Sequence, residues 1–145
     1  ADIITPNLFE LGILSGLEVR DQSTAFAAAR QLLEDDRTDL EVVMVTSIPI
    51  APAQDDDNDR IGILVVTRED AHLATTPKLD FGPLVKGTGD VIAALFLGGY
   101  LRSGRNAGKA LQAAMAALYG VIEETHRQGS TELCLVAVQD KIADP

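Results

Sequence analysis

The chain has 145 residues, 46% of them hydrophobic and 23% charged; that is enough for one domain with its own core, and unlike a disordered, collagen-like or disulfide-stapled chain. Twelve Lys and Arg against 22 Asp and Glu give a net charge of −10, which argues against general nucleic-acid or membrane-surface binding but not against a nucleotide held by backbone amides and a metal ion. The single cysteine, Cys134, rules out an intrachain disulfide and a cysteine zinc site. It lies in an apolar run, reads as a small buried hydrophobe and fits a cytoplasmic setting. The most apolar stretch, Val91 to Leu101, is far shorter than the roughly 20 residues of a membrane span. No signal peptide is visible, and no Met opens the chain. Ala1-Asp2-Ile3-Ile4 reads as the middle of a strand, so a segment is expected before it.

Ile3 and Ile4 suit a short strand, and Thr5-Pro6 a helix start, with Thr5 as cap and Pro6 at the first helical position. That helix carries Leu8, Leu11 and Leu14 and ends near Gly16. Ser23 is expected to cap a second helix, on which Ala25, Phe26, Ala29, Leu32 and Leu33 recur at helical spacing. Leu40 to Val45 reads as a strand covered on both faces. Residues 47–60 read as an exposed loop, punctuated by Pro49 and Pro52 and tipped by Asp55-Asp56-Asp57-Asn58-Asp59. This tip lacks the Gly and distal Glu of an EF-hand loop and is assigned no role. Ile61–Thr67 and Ala71–Thr76 form a predicted hairpin about Arg68-Glu69-Asp70.

A Gly/Pro-rich segment then leads to Val91–Leu101, a helix too apolar all round for a surface. Asn106 caps a long helix to about Gln128, with Ala110, Leu111, Ala114, Leu118 and Val121 on one face. Leu133–Val138 reads as a last strand and Asp140–Ala143 as a last turn. No repeat, linker or domain boundary appears. Alternating helices and apolar strands predict an α/β layered domain with a mostly parallel sheet.

Two patterns carry chemistry. In Gly87-Thr88-Gly89-Asp90 the glycines permit a tight turn and close approach to backbone amides. Those amides open a helix, where the dipole favours an anion, and Asp90 stands ready to take a proton from an attacking hydroxyl. The plainer reading makes Asp90 a helix cap. The turn is neither a P-loop nor a dinucleotide-binding fingerprint. In Thr5-Pro6-Asn7-Leu8-Phe9-Glu10, Asn7 and Glu10 share one side of a helical turn and could orient the waters of a magnesium ion, or simply cap the helix.

Taken together, Thr-Pro-Asn-x-x-Glu at a strand exit and Gly-Thr-Gly-Asp some eighty residues later resemble the ribokinase-like kinases, and most closely the pyridoxal (vitamin B6) kinases. Thr76-Pro77-Lys78-Leu79-Asp80-Phe81, the helix from Val91 to Leu97 and the tail from Ala137 to Pro145 extend the resemblance over the whole chain. It covers roughly the C-terminal half of such an enzyme. The resemblance implies a ribokinase-like layered sheet with a β-hairpin, residues 1–145 forming the ATP-binding, catalytic half. It implies that Asp90 deprotonates the 5′-hydroxymethyl of pyridoxal and that the amides of Gly87, Thr88 and Gly89 form an anion hole for the γ-phosphate. Thr46 and Ser47 would lie near the ATP phosphates, Thr76, Pro77, Lys78 and Leu79 near the adenine and ribose, and Asn7 and Glu10 near magnesium, through water. The cofactors implied are ATP and Mg²⁺, with a monovalent cation left open. The substrates are pyridoxal, pyridoxine or pyridoxamine. The family is commonly dimeric, but much of that contact belongs to the other half.

Lys86, beside the anion hole, reads as a solvated charge. His72 and His126 have no ligand partners nearby in sequence, and Tyr100 and Tyr119 read as packing residues. The 145 residues alone are expected not to phosphorylate pyridoxal, since a base without a positioned substrate forgoes an orientation advantage of about 7–11 kcal/mol. Two alternatives stand beside this reading. One is a hydroxymethylpyrimidine-phosphate kinase, a group that tends to carry Cys where Asp90 stands. The other is a non-catalytic nucleotide-binding or assembly module in which Asp90 only caps a helix.

Overall fold

The computed structural model describes residues 1–51, 59–78 and 86–143. They fall in two compact units, residues 1–78 and 79–145, taken here in turn. The acidic tip and Leu79 lie outside the described residues, save Asp59, which is exposed.

The first unit runs β1 (Ile3–Ile4), α1 (Leu8–Ser15), α2 (Gln22–Leu33), β2 (Val42–Ile50), β3 (Arg60–Thr67) and β4 (Ala71–Pro77). The sheet order is β1-β2-β3-β4. Only β1 and β2 are parallel, with Ile3 opposite Val42 and Ile4 opposite Val43. The other two pairs are antiparallel, so the expected mostly parallel sheet is confined here to its first pair. The reason is chain length. A parallel neighbour needs a crossover of a dozen or more residues. Helices α1 and α2 supply one, whereas only residues 51–59 and 68–70 separate the later strands.

Both helices are capped two residues from the expected place. Asn7, not Thr5, caps α1, and Asp21, not Ser23, caps α2. Each uses a reciprocal box that Thr5 and Ser23 have no partner to complete. The Thr24 N–H donates to Asp21 Oδ1 (2.9 Å) and the Asp21 N–H to Thr24 Oγ1 (3.0 Å). Gly16, in the left-handed region, ends α1 as expected. The two helices bury Leu11, Ala25, Ala28, Ala29 and Leu33 with Val43, Val45, Leu64 and Val66 of the sheet.

Strand β2 outruns its expected end at Val45. It bulges between Val45 and Ile48, continues to Ile50 and keeps Pro49 opposite Ile61. Pro49 is tolerated because β1 flanks β2 only near its start, which leaves that side of β2 as an edge. The β3–β4 hairpin stands where expected.

The second unit is helical: α3 (Thr88–Arg102), α4 (Ala107–Gln128), a 3-10 turn (Val136–Val138) and α5 (Gln139–Ala143). Asn106 and Gly129 cap α4, and its expected apolar face is buried. Helix α3 is not covered all round. It buries Ile92, Phe96, Gly99 and Tyr100, while Leu97 and Leu101 are 46% and 62% exposed. Its contact with α4 is a single stripe, close enough that a Cβ on Gly99 would stand 3.4 Å from Ala110 Cα. Phe96 and Tyr100 stack within that stripe, their centroids 5.7 Å apart, whereas Tyr119 is partly exposed.

The expected strand Leu133–Val138 does not form. Local bonds take its place: the Leu135 N–H donates to Leu133 O (2.9 Å) and the Val138 N–H to Leu135 O (3.3 Å). Among the described residues this unit offers no strand for it to join. The Cys134 N–H donates instead to Thr125 Oγ1 (3.0 Å), whose own proton goes to Val121 O (2.7 Å). That bond holds Cys134 half-buried beside α4 rather than in a sheet core. The last turn becomes α5.

Two outcomes follow for stability. Gly98 has open space where a Cβ would go, so Gly98→Ala should raise stability by about 0.5–1 kcal/mol through backbone entropy. Gly99→Leu should lower it by about 1–3 kcal/mol by prising α3 from α4. Urea unfolding of both variants reads the contrast, and equal midpoints would count against this packing. The second outcome is acid sensitivity. The Arg37 guanidinium, donating to Asp35, holds that carboxyl at about 2. A folded pKa below the unfolded value of about 3.9 contributes fully above that value and is lost as pH falls through the folded one. The advantage of wild type over Asp35→Asn in urea midpoint should therefore be present at pH 6 and vanish near pH 2.

Candidate functional site

In the first unit the parallel pairing of β1 and β2 sets the geometry. The Thr46 N–H donates to Pro6 O at 2.9 Å, and Asn7 bridges Thr46 in the same parallel sense. The loop leaving β1 is thereby laid along β2, and Asn7, Glu10, Thr46 and Ser47 come together beyond the parallel pair. In α/β sheets that is where ligands bind.

Asn7 and Glu10 spend part of their polarity on each other. The Glu10 N–H donates to Asn7 Oδ1 and the Asn7 N–H to Glu10 Oε2, both at 2.9 Å. Glu10 is exposed, and its other carboxylate oxygen lies outside this box. Thr46 is buried. Ser47, exposed at the bulge, has φ 61°, the left-handed region that a side-chain-bearing residue occupies only at a cost of roughly 1–2 kcal/mol. Nothing in the Thr-Ser-Ile-Pro sequence signals that strain.

Thr76 and Pro77 end β4 at the same end of the sheet. Thr76 pairs with Ile61, which pairs with Pro49, so Thr76 stands two strand spacings from Pro49, about 9–10 Å. The exposed Lys78 is tethered by its N–H to Asp59 O at 2.8 Å, an anchor the sequence reading did not foresee. His72 faces Asp70, Nε2 to Oδ2 3.2 Å. The Thr67 hydroxyl (2.7 Å) and then His72 hold the Asp70 carboxyl below the usual carboxylate range.

In the second unit, Gly87 is the N-cap of α3, with φ 94° and no side-chain cap bond. Asp90 is therefore not the cap, as the plainer reading had it. It stands three residues inside, in the first turn, and is exposed. The first intrahelical bond runs from the Val91 N–H to Gly87 O (3.0 Å). The N–H groups of Gly87, Thr88, Gly89 and Asp90 precede it, and these four are the donors a helix cannot satisfy internally. A Cβ built on Gly89 meets nothing within 4 Å. A ligand can thus approach the amides, with the helix dipole favouring an anion and the Asp90 carboxylate alongside. Lys86 is exposed, as expected.

No cluster of three or more His, Cys, Asp or Glu among the described residues could cage a metal. The donor set fits an ion bound through water: Glu10 has one oxygen to spare, and Mg²⁺ keeps several waters, relying on one or two carboxylates plus substrate phosphates. None of the described helices is long and apolar enough to cross a membrane.

The solved structures this chain matches are ribokinase-like α/β kinases. Pyridoxal kinase from Leishmania donovani, in complex with ADP and pyridoxamine, superposes with a TM-score of 0.74 at 26% identity, covering 100% of this chain and 49% of that one. The profile of the phosphomethylpyrimidine kinase family matches residues 1–135, and the chain belongs to that family. Over its full length it is 43% identical to the pyridoxal kinases of Deinococcus radiodurans and Rubrobacter xylanophilus, covering 48% and 47% of them. The chain thus spans about half the length of the curated relatives it matches.

The capping box makes a measurable claim: Asn7→Ala should cost about 0.5–2 kcal/mol of stability, read by urea unfolding. A midpoint unchanged from wild type would show that the box contributes nothing.

Proposed function

We propose that residues 1–145 form the C-terminal, ATP-binding and catalytic half of a kinase that phosphorylates the 5′-hydroxymethyl group of pyridoxal, pyridoxine or pyridoxamine. One observation carries this reading: Gly87, in the left-handed region, opens α3 so that three first-turn amides and an exposed Asp90 share one turn. Similarity along the whole of this chain to about half of each pyridoxal kinase supports it.

The division of labour follows from the groups present. The amides of Gly87, Thr88 and Gly89, with the helix dipole behind them, stabilise charge on the equatorial oxygens of the transferring phosphoryl group. They do so without a formal positive charge, which suits a chain at −10. The Asp90 carboxylate accepts the proton of the substrate hydroxyl as its oxygen bonds to the γ-phosphorus, and ADP departs with the electrons of the broken bond. Thr46 and Ser47 lie near the phosphates in this reading, and Thr76 to Leu79 near the adenosine. Asn7 and Glu10 hold water on Mg²⁺, whose contribution when bound is to neutralise phosphate charge. The protein works in the cytoplasm.

The family's name, phosphomethylpyrimidine kinase, favours a second substrate, a phosphomethylpyrimidine. Asp at position 90 and the names of the 43%-identical relatives favour vitamin B6. Competition between pyridoxal and hydroxymethylpyrimidine phosphate for turnover decides between them.

Asp90→Asn, made in the protein as its source produces it, should lower kcat roughly 10²–10⁴-fold while leaving the Kd for ATP within about threefold, since the amides remain. Near wild-type turnover by this variant would remove Asp90 from the chemistry. An intact fold with no ATP binding in either protein would sink the kinase reading.

A further inference from the structure

The outer edge of β4 has no role in the proposed reaction. Strand β4 ends the sheet, and β3 is its one neighbour among the described residues. Two backbone bonds fix which of its groups are used. The Thr67 N–H donates to Asp70 O (2.9 Å) at one end of the β3–β4 ladder, and the Lys78 N–H to Asp59 O (2.8 Å) at the other. Bonded and non-bonded residues alternate along an antiparallel pair. Asp70, His72, Ala74, Thr76 and Lys78 therefore turn their backbone toward β3, while Ala71, Leu73 and Thr75 turn theirs outward. Natural sheets guard such an edge with Lys, Pro, a bulge or a very short strand. No such device stands between Ala71 and Thr76, which include no Lys, Arg, Asp, Glu or Pro. The seven residues of β4 pair with β3 without a register shift, whereas β2 bulges.

The residues along this edge complement themselves. An edge that meets its own copy about a two-fold axis runs antiparallel, and only outward-turned residues can exchange bonds. With the axis at Ala74, Leu73 of each copy exchanges bonds with Thr75 of the partner subunit, and the Ala71 N–H reaches the carbonyl of Pro77 of the partner subunit. The small Ala74 side chains meet at the axis in a non-bonded pair, where Cα atoms approach to about 4.5 Å. His72 then faces Thr76, and Asp70 faces Lys78, at both ends of the interface. Opposite charges directly across a ladder are favourable and like charges unfavourable. An axis at Leu73 would instead set Arg68 against Lys78, and one at Thr75 would set His72 against Lys78 and shorten the ladder. The Asp70 side chain is 55% exposed even with His72 at 3.2 Å. Lys78 is exposed and has no acidic partner among the described residues.

We infer that β4 is an interface between two copies of the protein, joined edge to edge about a two-fold axis at Ala74, with Asp70 of each copy against Lys78 of the partner subunit. The two sheets then run on as one. Lys78 belongs to the segment proposed for the adenosine, so each copy steadies a residue of the other's nucleotide site. The inference stands on the edge and its charges, and its test reads mass and needs no kinase activity.

The experiment is sedimentation equilibrium, at micromolar concentrations, of the protein as its source makes it. The wild type should sediment at twice its own intact mass. Thr75→Pro removes an outward N–H that β3 does not use, so it should fold and yet weaken the dimer by about a hundredfold or more. Asp70→Lys and Lys78→Asp each set like charges across the interface and should each weaken it by about tenfold. The double variant carrying both exchanges restores opposite charges and should return to within about threefold of wild type. A wild type at its own intact mass would overturn the inference, whether the edge is bare or covered by another part of the same chain. A dimer that none of the three single variants weakens would place the interface elsewhere and overturn it too. Should Thr75→Pro fail to fold, the charge series decides alone. Without weakening in Asp70→Lys and Lys78→Asp and recovery in the double variant, the inference fails.

Discussion

The short parallel ladder between β1 and β2 is the constraint on which the first unit depends. Asp2 O accepts from the Glu41 and Val42 N–H groups, and Pro6 O from that of Thr46. These bonds set the register of two strands separated by two helices. The helices must then fold over one face, and Leu11, Ala29 and Leu33 meet Val43 and Val45. The same register lays Asn7 against Thr46. A one-residue slip would turn every β2 side chain to the opposite face, emptying the core and separating the two strand exits together.

The second unit is organised by small residues. Gly99 against Ala110 allows α3 and α4 to approach closely, and the buried alanines Ala107, Ala110, Ala114 and Ala117 continue that seam along α4. Thr125 then ties the chain that follows back to α4 through Cys134. That segment is thereby ordered without belonging to a sheet.

Much of this was legible in the sequence, for physical reasons that differ by element. Helix α4 announces itself by a long 3.6-residue period between Asn106 and Gly129, and the β3–β4 hairpin by β-branched runs about a polar turn. The errors arose where local chemistry has two outlets. Thr5 and Ser23 are good caps in isolation, but Asn7 with Glu10 and Asp21 with Thr24 complete reciprocal boxes and win. Pro49 speaks for a loop unless the strand's far side is known to be an edge. Leu133–Val138 has strand composition but no partner among the described residues of its unit, a non-local fact no window can contain. At the candidate site the residue types in Asn7–Glu10 and Gly87–Asp90 were readable. The left-handed turn at Ser47 was not, because a Ser carries no mark of its own φ.

The glycine-opened turn at Gly87 has a consequence for how such a protein would appear to mutational survey. Three of the groups offered to a ligand there are main-chain N–H groups, common to every non-proline residue. Truncating Thr88 to alanine leaves all of them in place. A survey by alanine substitution would therefore pass over the proposed anion-binding turn as if it were silent, registering only Asp90 and the backbone strain a side chain would meet at Gly87. What inheritance must preserve at this turn is chiefly a dihedral angle, and a protein can keep that while its neighbouring side chains drift.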